Sequence, residues 1–354
     1  MKEFWSARIR QLQPYVPGEQ PKGRKFIKLN TNENPYPPAP GVMEAIAANN
    51  GEALRLYPDP DATALRQVLA DRLGVEMDQI FVGNGSDEVL AFAFQAFFDE
   101  GAEIVFPDVT YSFYPVYAGM FGVRYRTVPL KEDFTVDVAG LCGGNSGVVL
   151  ANPNAPTGIA LPLEQIEVIL QANPDVVVLV DEAYVDFGGD SALALLERYP
   201  NLLVVQTFSK SRSLAGARIG FAVGSPNLIA ALNCVKNSIN SYTLDRLAIA
   251  AGVAAVEDKA YFSACCSKVI ADREFTIRGL EELGFSVCPS KTNFVFATHP
   301  RVEAKVLFAG LRERGILVRY FAQPRIDNYL RISIGTHEEM EALLTAMAEL
   351  TKEN

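Results

Sequence analysis

Histidine is nearly absent from this chain: His299 and His337 are the only two among 354 residues. A Ser-His-Asp or Cys-His arrangement would have to use one of them, and a zinc site rich in histidine cannot be assembled. If the protein is an enzyme, another residue type moves its protons, and no metal is expected. Cysteine is sparse too. Cys142, Cys234, Cys265, Cys266 and Cys288 form neither a CxxC pair nor a disulfide framework, which suits a reducing compartment and mostly buried thiols. Positive charge is in short supply, with 32 Lys and Arg against 42 Asp and Glu and a net charge of -10. That leaves no broad basic surface, so neither nucleic acid nor an anionic membrane is an expected partner. No apolar run reaches the roughly 20 residues that span a bilayer. The opening Met1-Lys2-Glu3-Phe4-Trp5-Ser6 sets acid beside base and lacks a signal core, so the expected location is the cytoplasm. Internal repeats and low-complexity tracts are missing as well.

What the chain does have is apolar mass, 49% of its residues, enough for one large core and a second, smaller one. Three runs organise it: Gly147-Val148-Val149-Leu150-Ala151-Asn152, Val176-Val177-Val178-Leu179-Val180-Asp181, and Leu202-Leu203-Val204-Val205-Gln206 leading into Thr207-Phe208-Ser209-Lys210. Continuous Val and Leu predict strands buried on both faces. Ligands of open α/β sheets bind beyond the carboxyl ends of such strands. The spacing therefore predicts that Asn154, Asp181 and Lys210 share one crevice. From Thr63 to the mid-240s helical periodicity alternates with such runs, the mark of a doubly wound, mostly parallel sheet.

The flanks read differently. Residues 1–40 are rich in Pro, Gly and Asn, as in Asn30-Thr31-Asn32-Glu33-Asn34-Pro35-Tyr36-Pro37-Pro38, a composition that resists helix and fits an extended arm. A plain linker is the alternative, but Tyr15 and the Asn-Glu-Asn triplet are unusual in an inert spacer. From about Asp258 the pattern predicts a long helix through Glu282, a strand at Phe294–Phe296, a helix through Arg312, and strands at Ile316–Tyr320 and Tyr329–Ser333. Thr336 with Glu339 forms a capping box for a last helix. The expected organisation is an arm (1–40), a large domain (41–250) and a small α+β domain (251–354) that packs with the arm.

Two further segments carry chemistry. In Phe81-Val82-Gly83-Asn84-Gly85-Ser86-Asp87-Glu88 a strand breaks at two glycines and a helix opens, leaving exposed amides beside a hydroxyl. Such a start suits a phosphate, although Ser86 as an ordinary N-cap explains the segment equally well. After the third run, Thr207 and Ser209 add hydroxyls, Lys210 an amine and Arg218 a guanidinium. A lysine desolvated at a sheet edge loses its proton more easily and attacks a carbonyl, so Schiff-base formation is the natural reading. Arg218 suits a bidentate phosphate clamp. Asp181, after five aliphatic residues, needs a cation if it is buried as an anion. Pyridoxal 5'-phosphate supplies all the counterparts: a phosphate for the helix start and Arg218, an aldehyde for Lys210, a pyridinium for Asp181, and a phenolate oxygen for Asn154 and Tyr184.

The chain resembles the fold-type-I aminotransferases, and over nearly its whole length the histidinol-phosphate aminotransferase family. The resemblance rests on Leu29-Asn30-Thr31-Asn32-Glu33-Asn34-Pro35, Tyr57-Pro58-Asp59, Gly83–Glu88, Asn152-Pro153-Asn154-Ala155-Pro156-Thr157-Gly158, Asp181-Glu182-Ala183-Tyr184, Ser209-Lys210, Leu214–Gly220 and Leu330-Arg331-Ile332-Ser333-Ile334-Gly335-Thr336. It implies that Lys210 holds the cofactor and shuttles the proton, which removes the need for histidine. It further implies that Tyr111 stacks on the ring, with Gly85, Ser86 and Asp87 in the cofactor cradle. Tyr57 matches a position that reaches the neighbouring subunit's cofactor phosphate, which implies a homodimer. Arg331, helped by Arg319 and Tyr15, matches the residues that hold an acidic group of the substrate. The implied reaction moves the amino group of L-histidinol phosphate, a phosphate ester, to 2-oxoglutarate. Ala155 in place of a second Asn, and Ser211-Arg212-Ser213 after the lysine, depart from the common form. They leave an aromatic-amino-acid aminotransferase, or a lyase resembling threonine-phosphate decarboxylase, as alternatives for the same cradle. A cofactor-binding regulator would need a DNA-binding module, for which the proline-rich start and the acidic balance leave no room.

Overall fold

The structure, a computed structural model, describes residues 4–16, 18–21, 23 and 25–353; Met1–Glu3, Pro17, Lys22 and Arg24 of the arm and the terminal Asn354 lie outside the described residues. Strand β1 (Ile27–Lys28) belongs to the arm. Seven more follow: β2 (Ile80–Asn84), β3 (Glu103–Pro107), β4 (Arg124–Val128), β5 (Val148–Ala151), β6 (Val178–Asp181), β7 (Leu202–Thr207) and β8 (Ile219–Gly224). They form one sheet in the order β2-β8-β7-β6-β5-β3-β4. All neighbours run parallel except β8, which is antiparallel to both β7 and β2.

The three aliphatic runs are β5, β6 and β7, adjacent and in register, with Ala151 beside Asp181 and Asp181 beside Val205. Their residues alternate between two cores. Val149, Leu179, Leu203 and Val205 pack against Leu90, Phe94 and Leu232 on one face. Val148, Leu150, Val178, Val180 and Val204 pack against Ile166 and Ile169 on the other. Burial on both faces is why polar alternation is missing from these strands.

The remaining strands are β9 (Ser286–Val287), β10 (Phe294–Thr298), β11 (Ile316–Leu317), β12 (Arg319–Tyr320) and β13 (Leu330–Ser333). An antiparallel sheet runs β12-β13-β10-β9, while β11 pairs in parallel with β1 of the arm. The expected single strand Ile316–Tyr320 is therefore split at Val318, because its two halves serve different sheets. The arm docks firmly: Leu29 is buried in the C-terminal core, and its carbonyl accepts from Ser333 N at 2.9 Å. It is not wholly extended, since Ala7–Gln11 forms a short helix capped by Ser6. The long helix is Lys259–Glu282, and the last one, His337–Glu353, opens with Glu339 accepting from Thr336 N at 2.9 Å. Among the described residues no helix is long and apolar enough to cross a membrane.

Candidate active site

Beyond the carboxyl ends of β5–β7 lies a cavity of about 220 Å³. Its wall takes Asp181 from the end of β6, and Thr207, Ser209 and Lys210 from the end of β7 and the loop beyond. Ser86 and Asp87 come from a helix start, Tyr111 from the loop after β3, Tyr184 and Arg218 from neighbouring loops, and Tyr15, Arg319 and Arg331 from the arm and the smaller sheet. A second cavity of about 820 Å³ continues outward and shares Tyr15, Tyr111, Arg319 and Arg331.

The anion end is built on two close approaches. The helix Gly85–Phe97 begins with Gly85 at φ +79°, where a Cβ would stand 2.5 Å from Arg218 Nη2. Gly220 on β8 lies against the same turn, and a Cβ there would come within 2.2 Å of Ser86 N. Both positions exclude side chains, so strand and helix start can press together. Ser86 is not the N-cap. Asn84 holds that position without a side-chain cap, and its N–H donates to Glu88 Oε2 at 2.6 Å, leaving the Ser86 hydroxyl on the cavity wall. Arg218 Nη2 meets Asp87 Oδ2 at 2.9 Å, and Tyr111 Oη donates to Asp87 Oδ1 at 2.9 Å. The Thr207 and Ser209 hydroxyls bond to each other at 3.0 Å.

At the other end, Asp181 is buried and accepts from Tyr114 Oη at 3.0 Å and from Ala183 N at 3.2 Å. Desolvation raises its carboxyl to about 6, against the pull of those two donors. Lys210 Nζ donates to Thr31 O at 3.3 Å, and burial and the Arg331 charge lower its ammonium to about 8. Tyr184 lies beside it, its ring 5.8 Å from Nζ and its hydroxyl accepting from Asn32 Nδ2 at 3.0 Å. The sequence motif around Asn32 thus has a purpose: Asn34 Nδ2 also donates to the Lys210 carbonyl at 3.0 Å, so the arm fixes the lysine loop.

At the mouth, Arg319 and Arg331 stand directly opposite one another on β12 and β13. Arg331 is half-buried, with Nη2 donating to Asn30 O at 3.2 Å and its buried Nε without a hydrogen-bond partner among the described residues. Arg319 Nη2 donates to Val16 O at 3.2 Å. Tyr15 stacks on Phe113 with centroids 4.4 Å apart.

Not every expected residue reaches the cavity wall. Asn154 is turned inward: Nδ2 donates to Val109 O at 2.9 Å and Thr157 Oγ1 at 3.0 Å, and Oδ1 accepts from Thr110 Oγ1 at 2.9 Å. Its neighbours Pro153 and Ala155 line the cavity instead. Tyr57 is 78% exposed and stacks on Tyr242, away from the crevice of its own chain. Conversely, the site also draws on Tyr114, Thr31, Asn32 and Asn34, for which the sequence gives no role: Thr31 and the asparagines stand in the arm's motif, whereas no local pattern marks Tyr114.

The donor set fits pyridoxal phosphate. A guanidinium, a serine hydroxyl and a helix start crowded by glycine suit a dianionic phosphate, a buried carboxylate with only neutral donors suits a cation, and a desolvated amine lines the space between. Comparison with known proteins agrees. The family model for aminotransferase class I and II matches residues 24–347. A histidinol-phosphate aminotransferase of Acinetobacter baumannii (strain SDF) is 58% identical over 98% of this chain and 97% of its own. Another, of Dechloromonas aromatica (strain RCB), is 58% identical over 99% of this chain and all of its own. The crystal structure of histidinol-phosphate aminotransferase from Sinorhizobium meliloti in complex with pyridoxal-5'-phosphate superposes with a TM-score of 0.91 at 29% identity, covering 100% of this chain and 99% of that one. With a family model spanning most of its length and relatives matching it nearly end to end, the chain belongs to the class I and II aminotransferases, within the histidinol-phosphate aminotransferase family.

Proposed function

We propose that this aminotransferase, which uses pyridoxal phosphate, takes the amino group from L-histidinol phosphate and gives it to 2-oxoglutarate, yielding imidazole acetol phosphate and L-glutamate in histidine biosynthesis. The observation that carries the choice of donor is the pair Arg319 and Arg331, face to face at the mouth of the cavity. Two guanidiniums there favour a substrate with an anionic group at its far end. The names of the relatives point the same way.

In this reading Ser86, Thr207, Ser209 and Arg218 would hold the cofactor phosphate, Asp181 would pair with the ring nitrogen, and Tyr111 would pack on the ring. When bound, the cofactor supplies a carbonyl carbon and an electron-accepting ring. Lys210 Nζ would hold the cofactor's carbonyl carbon, and the same nitrogen, easily deprotonated, would move the proton at the substrate carbon. Tyr184 and Asn32 keep the phenol edge of the site ordered. Arg331, with Arg319 and Tyr15, binds the phosphate of the donor and later a carboxylate of the oxo acid. The domain division at about residues 40 and 250, a homodimer, and a location in the cytoplasm belong to the same proposal. All five cysteines being free thiols suits that location.

The test is to mix the purified yellow protein separately with L-histidinol phosphate and with phenylalanine. The visible absorbance should bleach faster, and at lower concentration, with the phosphate ester, and 2-oxoglutarate should restore it. Preference for phenylalanine would make the protein an aromatic aminotransferase, and release of CO2 from a phosphorylated amino acid would make it a lyase.

A further inference from the structure

Tyr114 lies behind the cavity wall, fully buried in the first turn of the helix Tyr114–Phe121. Its ring is fixed edge-on to Tyr111 (centroids 5.7 Å apart, 84° between planes) and to Phe106 (5.8 Å, 63°), and it also packs on Phe94 at 6.4 Å. These contacts leave its hydroxyl one direction, toward Asp181 Oδ2 at 3.0 Å. Among the described residues the only other hydrogen bond to that carboxylate comes from Ala183 N, at 3.2 Å on Oδ1. Burial and the facing carboxylate push the Tyr114 phenol well up, so the group stays a neutral donor throughout the working pH range.

We propose that Tyr114 is a positioning residue which keeps Asp181 ionised and aimed at the cofactor's ring nitrogen. The inference rests on the reading of Asp181 as the ring-nitrogen partner. A buried carboxylate stripped of a donor is stabilised less as an anion, so its acid form gains. Burial already lifts the Asp181 carboxyl to about 6, even with the Lys210 charge pulling it down. Without the phenol that value moves upward, and at neutral pH less of the protein presents the anion the pyridinium needs.

The test compares wild type with Tyr114→Phe, which keeps the ring and its packing. The readout is the dissociation constant of pyridoxal phosphate from the apoprotein between pH 5.5 and 8.5, repeated with the 1-deaza analogue, whose ring carries C–H in place of nitrogen. The variant should bind pyridoxal phosphate roughly tenfold more weakly at pH 5.5 but only about twofold more weakly at pH 7, because the acid limb of its affinity shifts up by about one pH unit. With the deaza analogue the deficit should vanish, which also shows that the variant's pocket is folded. An equal loss with both cofactors, or an unmoved acid limb, would reduce Tyr114 to a packing residue and overturn the proposal. Failure of the wild type itself to bind pyridoxal phosphate would instead sink the cofactor reading on which this rests.

Discussion

At the scale of single residues, the two buried acids at the end of β6, Asp181 and Glu182, show how one strand end serves two purposes. Asp181 points toward the cavity. Glu182 points the other way, where Oε1 accepts from Ala192 N at 2.6 Å and Oε2 accepts from Ser191 Oγ at 2.6 Å and Gln206 Nε2 at 2.8 Å. Desolvation nonetheless raises its acid to about 7 from the ordinary 4.5. A carboxyl that holds its proton more tightly folded than unfolded adds stability below its unfolded value, and loses it as pH climbs through the folded one. The apoprotein should therefore lose stability between about pH 4.5 and 7 on this group's account. Glu182→Gln, which fixes the neutral form, should match wild type at pH 5 and exceed it at pH 8 by on the order of 1–3 kcal/mol. Urea unfolding midpoints at both values check this, and a variant weaker at pH 8 would show that the anion is fully compensated by its donors. Lys210 and Asp181 were legible in the sequence because a charged group beside a long aliphatic run is costly without a reason, whereas Arg319 and Arg331 were legible only through the family resemblance. Tyr114 was not, because its partner lies 67 residues away and an aromatic in an apolar helix looks like ordinary core.

At the scale of elements, what could be read depended on whether a segment's environment is set by its own residues. β5, β6 and β7 are buried on both faces, so composition alone announced them and their shared edge. The run Ile316–Val318 is equally apolar and leads into Arg319 and Tyr320, yet which neighbour each half pairs with is decided by the arm and by β13, and no local pattern records that. The reach of Asn32 and Asn34 to Tyr184 and Lys210 is of the same kind. The phosphate end depends on a junction of two elements, the helix start at Gly85 and the beginning of β8. Gly220→Ala should separate them, because the added carbon meets the backbone atoms Ser86 N at 2.2 Å and Gly85 C at 2.4 Å, neither of which can rotate away. Overpacking of this sort costs about 1–3 kcal/mol. The variant should bind pyridoxal phosphate at least about tenfold more weakly, a difference of about 1.4 kcal/mol. Pyridoxal, lacking the phosphate, should bind nearly as to wild type, so a ratio of the two constants that stays at the wild-type value would place the phosphate elsewhere.

At the scale of the whole molecule, one braced residue has no partner of the expected kind within its own chain. Tyr57 is 78% exposed, yet it is held rather than loose: it stacks on Tyr242 at 4.5 Å, and its carbonyl accepts from Arg246 Nη2 at 3.2 Å. Three residues on, the buried Lys236 Nζ donates to Pro60 O at 2.7 Å. Leu54 and Leu56 beside it are exposed as well, an apolar strip that a second copy would cover. A homodimer in which Tyr57 serves the opposite site would give each site Lys210 from one chain and Tyr57 from the other. Chains carrying Lys210→Ala and Tyr57→Ala, co-expressed with different tags, would then form a mixed dimer in which one site has both residues and the other has neither. That species, purified through both tags, should show about half the wild-type activity per dimer, although the two parent variants are each far below it, since a two-fold interface exchanges the same surface in both directions. Activity no greater than the mean of the parents would mean that every chain completes its own site, and failure to recover any doubly tagged species would remove the dimer itself.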